Sequence, residues 1–227
     1  MSRILVVAPH MDDETLGMGG TIARMTEEGH DVAVAVMTGQ GMEKHPLWDR
    51  SIWDTVRGEG QLAMKVLGVK ELIFSEIPAA LVSHVSPVEV NQEAWRVLNE
   101  VKPEILYLPF AWDLHKDHRG LTYAFYIAAR PHANLGKNVR QIYMYETVSE
   151  THWNYSSGVE PGFIPNTWID ISDYLEKKIE ALHCYKSQIR PFPDARSLEA
   201  IESLAKWRGS QASMNAAEAF VMTRSII

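Results

Sequence analysis

Five consecutive apolar residues, Ile4-Leu5-Val6-Val7-Ala8, run without a spacer into Pro9-His10-Met11-Asp12-Asp13-Glu14. A run so short and so rich in β-branched residues has no polar face, and it reads as a strand covered on both sides. Similar runs recur at Val32 to Met37, Leu72 to Phe74 and Ile105 to Leu108. Between them the spacing is helical. Thr21 to Glu28 is stopped by Gly29, and a second segment closes at Gly68 after Val66-Leu67. Pro87 to Val101 brings Val90, Trp95, Leu98 and Val101 near one face, with Pro87 suited to a first turn. This alternation predicts an α/β, Rossmann-like three-layer fold with a mostly parallel central sheet and helices on both faces.

The second half is less regular. Ile142 to Tyr145 and Trp168 to Ile171 are strand candidates, and the tail from Ala219 to Ile227 can close against the sheet. Asp173, with Glu176 three residues on, predicts a capped helix striped by Leu175, Ile179 and Leu182. Residues 146–166 are rich in Ser, Gly, Pro and aromatics, as in a long functional loop whose His152, Trp153 and Tyr155 can cover a ligand. At 227 residues the chain is expected to be a single domain. Residues 1–130 form the βαβ core carrying the site; residues 131–227 add the completing strands, substrate loop and C-terminal helices. With 22 Lys and Arg against 29 Asp and Glu, the net charge of −7 lacks the basic footprint of a general nucleic-acid binder. Cys184 is the only cysteine, which excludes an intrachain disulfide and a cysteine-based zinc knuckle. The first apolar run is far too short for a membrane span, and a cytoplasmic protein is expected.

Two polar clusters sit where these strands end. Asp12, Asp13 and Glu14 stand beside His10 at the close of the first strand, where open parallel sheets bind ligands. A helix N-terminus favours one or two acids; three in a row repel one another unless a cation offsets them. The second cluster, Asp113-Leu114-His115-Lys116-Asp117-His118, follows the run Ile105 to Leu108 and projects from the same rim. Together they predict a metal site. Catalytic zinc takes about three His and carboxylate ligands and keeps one position for water. His10 and Asp13, spaced i, i+3, reach one ion with Asp12 rotated aside, and His118 supplies the third ligand. Asp12 is then the general base, His115 a proton donor or oxyanion stabiliser, and Asp117 a partner that fixes a histidine ring. His30, His45, His84, His132, His152 and His183 are expected to be ordinary surface or core residues.

These residues resemble the LmbE-like/PIG-L family of zinc-dependent N-deacetylases, whose patterns read (A/P)HPDDE and HxDH. The likeness continues through Leu16-Gly17 to Gly20, Thr38-Gly39-Gln40-Gly41, Arg57-x-Glu59 and Leu67-Gly68-Val69. It resumes from Lys177-Lys178-Ile179-Glu180-Ala181-Leu182 to Lys186-Ser187-Gln188. The resemblance implies the same ligands, base and histidine, with one Zn2+ per chain; His/Asp sites also accept iron, cobalt or manganese. It adds Arg57 and Gln40 as substrate-facing residues. The implied reaction is hydrolysis of an N-acetyl group on a small amino-sugar substrate of N-acetylglucosamine type, by a homo-oligomer (trimer or hexamer). Two positions depart from the pattern. Met11 replaces the usual proline, which loosens the turn, and Gln40 stands where many relatives carry an acid.

Rival readings remain. Gly17, Gly19 and Gly20 suggest a dinucleotide loop, but Ile22 occupies the place of the third glycine, so they are read as close helix–strand packing. Asp113-x-His115-x-Asp117-His118 approximates the HxHxDH of a metallo-β-lactamase-like hydrolase without its first histidine. A sugar- or metal-binding module that keeps the site but lacks turnover is the non-enzymatic alternative.

Overall fold

In the computed structural model, which describes residues 1–155 and 158–227, the first apolar run forms β1 (Arg3–Ala8). Ile4, Val6 and Ala8 are buried against one layer of helices, and Leu5 and Val7 against the other. Helix α1 (Asp13–Glu27), β2 (Asp31–Gly39), α2 (Arg50–Leu67), β3 (Glu71–Pro78), α3 (Pro87–Val101), β4 (Ile105–Pro109), α4 (Lys116–Ala128) and β5 (Gln141–Tyr145) follow in alternation. Then come β6 (Thr167–Asp170), α5 (Leu175–Cys184), α6 (Leu198–Ser210) and β7 (Ala217–Ser225). Ser156 and Ser157, within the expected 146–166 loop, lie outside the described residues.

The strands form one sheet in the order β3-β2-β1-β4-β5-β7-β6. The first five are parallel, and β7 runs antiparallel to both β5 and β6. Helices α3 and α4 cover one face through Val90, Val97, Leu98, Leu121 and Phe125. On the other face α1, α2 and α5 contribute Met18, Ile22, Met64, Leu67 and Ala181. Burying each large apolar side chain contributes ~1.5–3 kcal/mol, and the two faces together hold the three layers. This is the expected α/β fold. Among the described residues, no helix is long and apolar enough to cross a membrane.

The differences have local causes. Strand β2 outruns Met37 by Thr38 and Gly39, which are buried but not apolar, while β3 outruns Phe74 because its last residues alternate, as a sheet edge that tolerates the exposed Glu76. Helix α1 begins at Asp13 rather than Thr21. Its first turns are buried on all sides, so no amphipathic stripe announces them, and the helix kinks at Met18 (φ −149°, ψ 27°). Trp95 is 46% exposed; the buried stripe of α3 is Val90, Ala94, Val97, Leu98 and Val101. Tyr174, not Asp173, precedes α5, without a side-chain capping bond. The tail strand starts two residues earlier than Ala219, and Thr167–Asp170 replaces Trp168 to Ile171. Gly17 packs as expected of the glycines: a Cβ there would overlap the Tyr145 ring and the Glu146 carbonyl.

Candidate metal centre

Strand order reverses between β1 and β4, and both polar clusters leave the carboxyl ends of these neighbours, at the crevice such a reversal opens. Pro9 is pinned to β2, its carbonyl accepting from Thr38 N–H at 3.1 Å and Thr38 Oγ1 at 2.7 Å. The chain then turns into α1, with His10 N–H donating to Asp13 Oδ2 at 2.9 Å. On the other side His115 caps α4, its Nδ1 accepting from Asp117 N–H at 3.1 Å. That cap sets Asp117 and His118 in the helix's first turn.

His10, Asp13 and His118 converge, with donor atoms within 4.8 Å of one another. Asp13 Oδ2 lies 3.2 Å from His10 Nδ1 and 3.1 Å from His118 Nε2. Each imidazole is held from behind by a carboxylate outside the trio. Asp113 Oδ2 sits 2.8 Å from His118 Nδ1, and Asp117 Oδ2 sits 3.1 Å from His10 Nε2. Asp117 also accepts from Ala80 N–H at 2.6 Å and Val82 N–H at 3.2 Å, so its oxygens are engaged as anchors. A second trio, His10, His115 and Asp117, meets the same distance limit but shares His10, so it is the rim of the same centre. Two buried atoms of the first trio, His118 Nε2 and Asp13 Oδ1, have no hydrogen-bond partner. Such orphans cost about 1–3 kcal/mol each unless something else pairs them. The donor set of two imidazoles and a carboxylate suits a divalent cation.

The charges agree. Burial pulls His10 toward neutrality, but hydrogen bonds to Asp117 and Asp13 outweigh it and push His10 up to about 9. Burial acts likewise on His118, and the Asp13 and Asp113 carboxylates hold it well above the ordinary histidine value. Against its own burial, Asp13 is held well below the usual carboxylate range by His118 and His10. The centre thus draws positive charge into a buried place.

Asp12 stands beside the trio but not in it. Its backbone is in a left-handed region (φ 143°), a strain of about 1–3 kcal/mol that turns the side chain aside. Glu14 Oε2 accepts from Asp12 N–H at 3.1 Å, while Glu14 Oε1 takes the Tyr185 hydroxyl at 2.5 Å. Arg196 Nη1 donates to Asp12 Oδ2 at 2.9 Å. Burial raises Asp12 most, Arg196 opposes it, and the Asp13 and Glu14 charges add to the rise, leaving Asp12 at about 7. His115 goes the other way: burial, then the neighbouring His10, lower it to about 4. A neutral His115 whose Nδ1 accepts a backbone N–H carries its proton on Nε2.

A cavity of about 260 Å³ opens beside His10, Asp12 and His115. Arg57 lines it, ion-paired with Glu76; Gln40 does not line it, its amide donating to the Glu43 carbonyl at 2.9 Å. Glu150 is the only member of the 146–166 loop on the cavity wall among the described residues. His152 instead pairs with Glu146 at 2.9 Å, and Trp153 and Tyr155 are exposed. Sequence reasoning missed Arg196, Tyr185 and the role of Asp113, and it gave no place in the cavity to Trp48 or to Gln188, although Gln188 lies within the family likeness. One signal was available for Gln188: Glu59 accepts from Ser187 N–H at 2.9 Å and Oγ at 2.6 Å, joining two of the stretches that carry the family likeness.

Residues 5–129 match the family model described as PIG-L: GlcNAc-PI de-N-acetylase. The chain is 26% identical over 208 residues to a diacetylchitobiose deacetylase of Thermococcus kodakarensis, covering 86% of this chain and 72% of that one. The N,N'-diacetylchitobiose deacetylase of Pyrococcus horikoshii shares the fold (TM-score 0.76, 22% identity, 98% of this chain and 84% of that one). So does a 4-carboxy-2-hydroxymuconate hydratase from Pseudomonas putida (TM-score 0.76, 21% identity, 100% of this chain and 98% of that one). The fold therefore does not by itself select a reaction.

Proposed function

This chain belongs to the PIG-L family, and on that premise we propose that it is a cytoplasmic, metal-dependent hydrolase removing the N-acetyl group from an amino-sugar derivative of N-acetylglucosamine type. The observation that carries this reading is the meeting of His10, Asp13 and His118 around two unpartnered buried atoms, beside a carboxylate left outside the trio. The deacetylase names of relatives matching along most of the chain support it. A metallo-β-lactamase-like plan loses its support at Asp113, which stands at the missing first histidine and holds His118 from behind.

His10, Asp13 and His118 would hold one zinc ion, two neutral imidazoles and one carboxylate. Bound there, the ion would polarise the amide carbonyl and lower the pKa of a coordinated water toward ~7. Asp12 Oδ2 is tied to Arg196, which leaves Oδ1 to accept the proton of the attacking water. His115 Nε2–H donates to the carbonyl oxygen as that oxygen takes up charge. Asp12 then returns its proton to the amide nitrogen, the C–N bond breaks, and acetate and a free amine leave. Arg57 lines the cavity, but it would have to leave Glu76 to contact the substrate. Gln40 would have to leave the Glu43 carbonyl to reach it.

The test is a panel of N-acetylated amino sugars assayed for acetate release with and without a chelator. Release from at least one member, abolished by the chelator and restored by zinc, is the expected result. A protein that binds zinc and these sugars but frees no acetate would be a binding module, and the hydrolase reading would fall.

A further inference from the structure

One wall of the cavity takes no part in this chemistry. Besides the reacting groups, the cavity is lined by polar Arg196, Gln188 and Glu150 and by a set of apolar side chains, Trp48, Ile52, Trp53 and Val56 among them. The aromatic part is braced from behind. His45 is buried, its Nε2 3.0 Å from the Ala79 carbonyl, and its Nδ1 accepts from Leu47 N–H at 3.2 Å. Trp48 stacks on the His45 ring (5.2 Å between centroids, 21° between planes), and Trp53 stands edge-on to both. Yet Trp48 and Ile52 remain 40% and 42% exposed, so a rigid apolar surface lies uncovered beside the reacting groups.

An aromatic platform can also carry a sugar ring, but a sugar's hydroxyl rim needs polar partners, and an unpaired buried hydroxyl is costly. This wall supplies few. The Trp53 Nε1 atom is itself buried without a partner. Arg57 is spent on Glu76 and lies over the Phe74 ring, 4.8 Å from its centroid. Gln40 is outside the cavity, bonded to Glu43.

We propose that the substrate carries an apolar aryl or alkyl group, and that Trp48, Ile52, Trp53 and Val56 bind it while the amide sits at the metal centre. This deepens the deacetylase reading and rests on it. The group is attached either as an aglycone or as a longer N-acyl chain, and the assay separates the two.

Affinity by titration calorimetry and kcat/KM by amine release would be measured for N-acetylglucosamine, its phenyl and octyl glycosides, N-butanoylglucosamine and N,N'-diacetylchitobiose. The proteins are the wild type, Trp53→Ala and Ile52→Ser. One apolar series should exceed N-acetylglucosamine by roughly tenfold, the return on about 60 Å² of apolar surface removed from water. That ratio should fall toward one in both variants. Equal treatment of the apolar compounds and N-acetylglucosamine would overturn the proposal, and so would N,N'-diacetylchitobiose matching them. Calorimetry reads the ratio whether or not any amide is cut. An apolar preference without hydrolysis would therefore sink the deacetylase reading and leave this wall correctly assigned.

Discussion

His118 is turned by two carboxylates at once, and the division of labour between them is chemically specific. Asp113 occupies Nδ1 and so commits Nε2 to the centre, where Asp13 waits. Outer partners of this kind typically contribute 10- to 100-fold to metal affinity. We therefore expect Asp113→Asn, which keeps an acceptor but loses the charge, to weaken zinc binding modestly. Asp113→Ala should lose roughly 10- to 100-fold, and His118→Ala should lose zinc and activity together. Competition with a chelating dye, on variants verified as folded by circular dichroism, measures all three. Full zinc occupancy in His118→Ala would refute the ligand set. At this scale the gathering of His10, Asp13, His115 and His118 at one rim was readable, because it follows from side-chain type and local offset along the chain. Arg196 and Tyr185 were not readable: they reach Asp12 and Glu14 across 184 and 171 residues, and nothing in their neighbourhood marks them.

Among the elements, α1 and α2 set the position of the turn that carries His10 and Asp13. Met11, standing where the family pattern has proline, places its side chain where a Cβ on Gly60 of α2 would be, so the two residues fit only as a pair. The looseness expected from losing the proline is thus countered by packing, with Met11 only 5% exposed. Gly60→Ala should gain helix propensity yet destabilise the protein by about 1–3 kcal/mol, because the overlap outweighs the propensity. In a thermal-unfolding double-mutant cycle, Gly60→Ala should cost much less on the Met11→Ala background than in the wild type, and an unchanged cost would mean the two do not couple. The kink in α1 has its own support. Lys178 Nζ of α5 donates to the Leu16 carbonyl at 2.9 Å and to Glu218 of β7 at 2.6 Å. Glu218 in turn accepts from the Gly20 and Thr21 N–H groups at 3.0 and 2.6 Å. A buried ion pair from two distant elements thereby satisfies backbone groups that a straight helix would bond internally. This explains why the start of α1 was invisible in the sequence, whereas Pro87–Val101, stabilised by Pro87 in its first turn and its own apolar stripe, was legible to the residue.

For the molecule as a whole, the parallel half of the sheet builds the site and the antiparallel pair β7-β6 completes the sheet at its far end. Continuous apolar runs announced β1, β2 and β4 because a strand buried on both faces has no room for polar residues. The order in which the strands lie side by side is a long-range property and had to be seen. It brings β1 beside β4, so that two clusters about a hundred residues apart share one rim. Aromatic content marks the loop with His152, Trp153 and Tyr155 as capable of contact, but His152 pairs with Glu146 and the aromatic lining of the cavity comes from Trp48 and Trp53.

In the proposed mechanism three side chains bind an ion while a fourth, within reach but unbound, moves the proton. Zinc content per chain and acetate release, measured together on Asp12→Asn, separate these duties. The predicted result is close to one zinc per chain with release reduced by roughly 10²- to 10⁴-fold. Undiminished release, or loss of the zinc along with the activity, would contradict it.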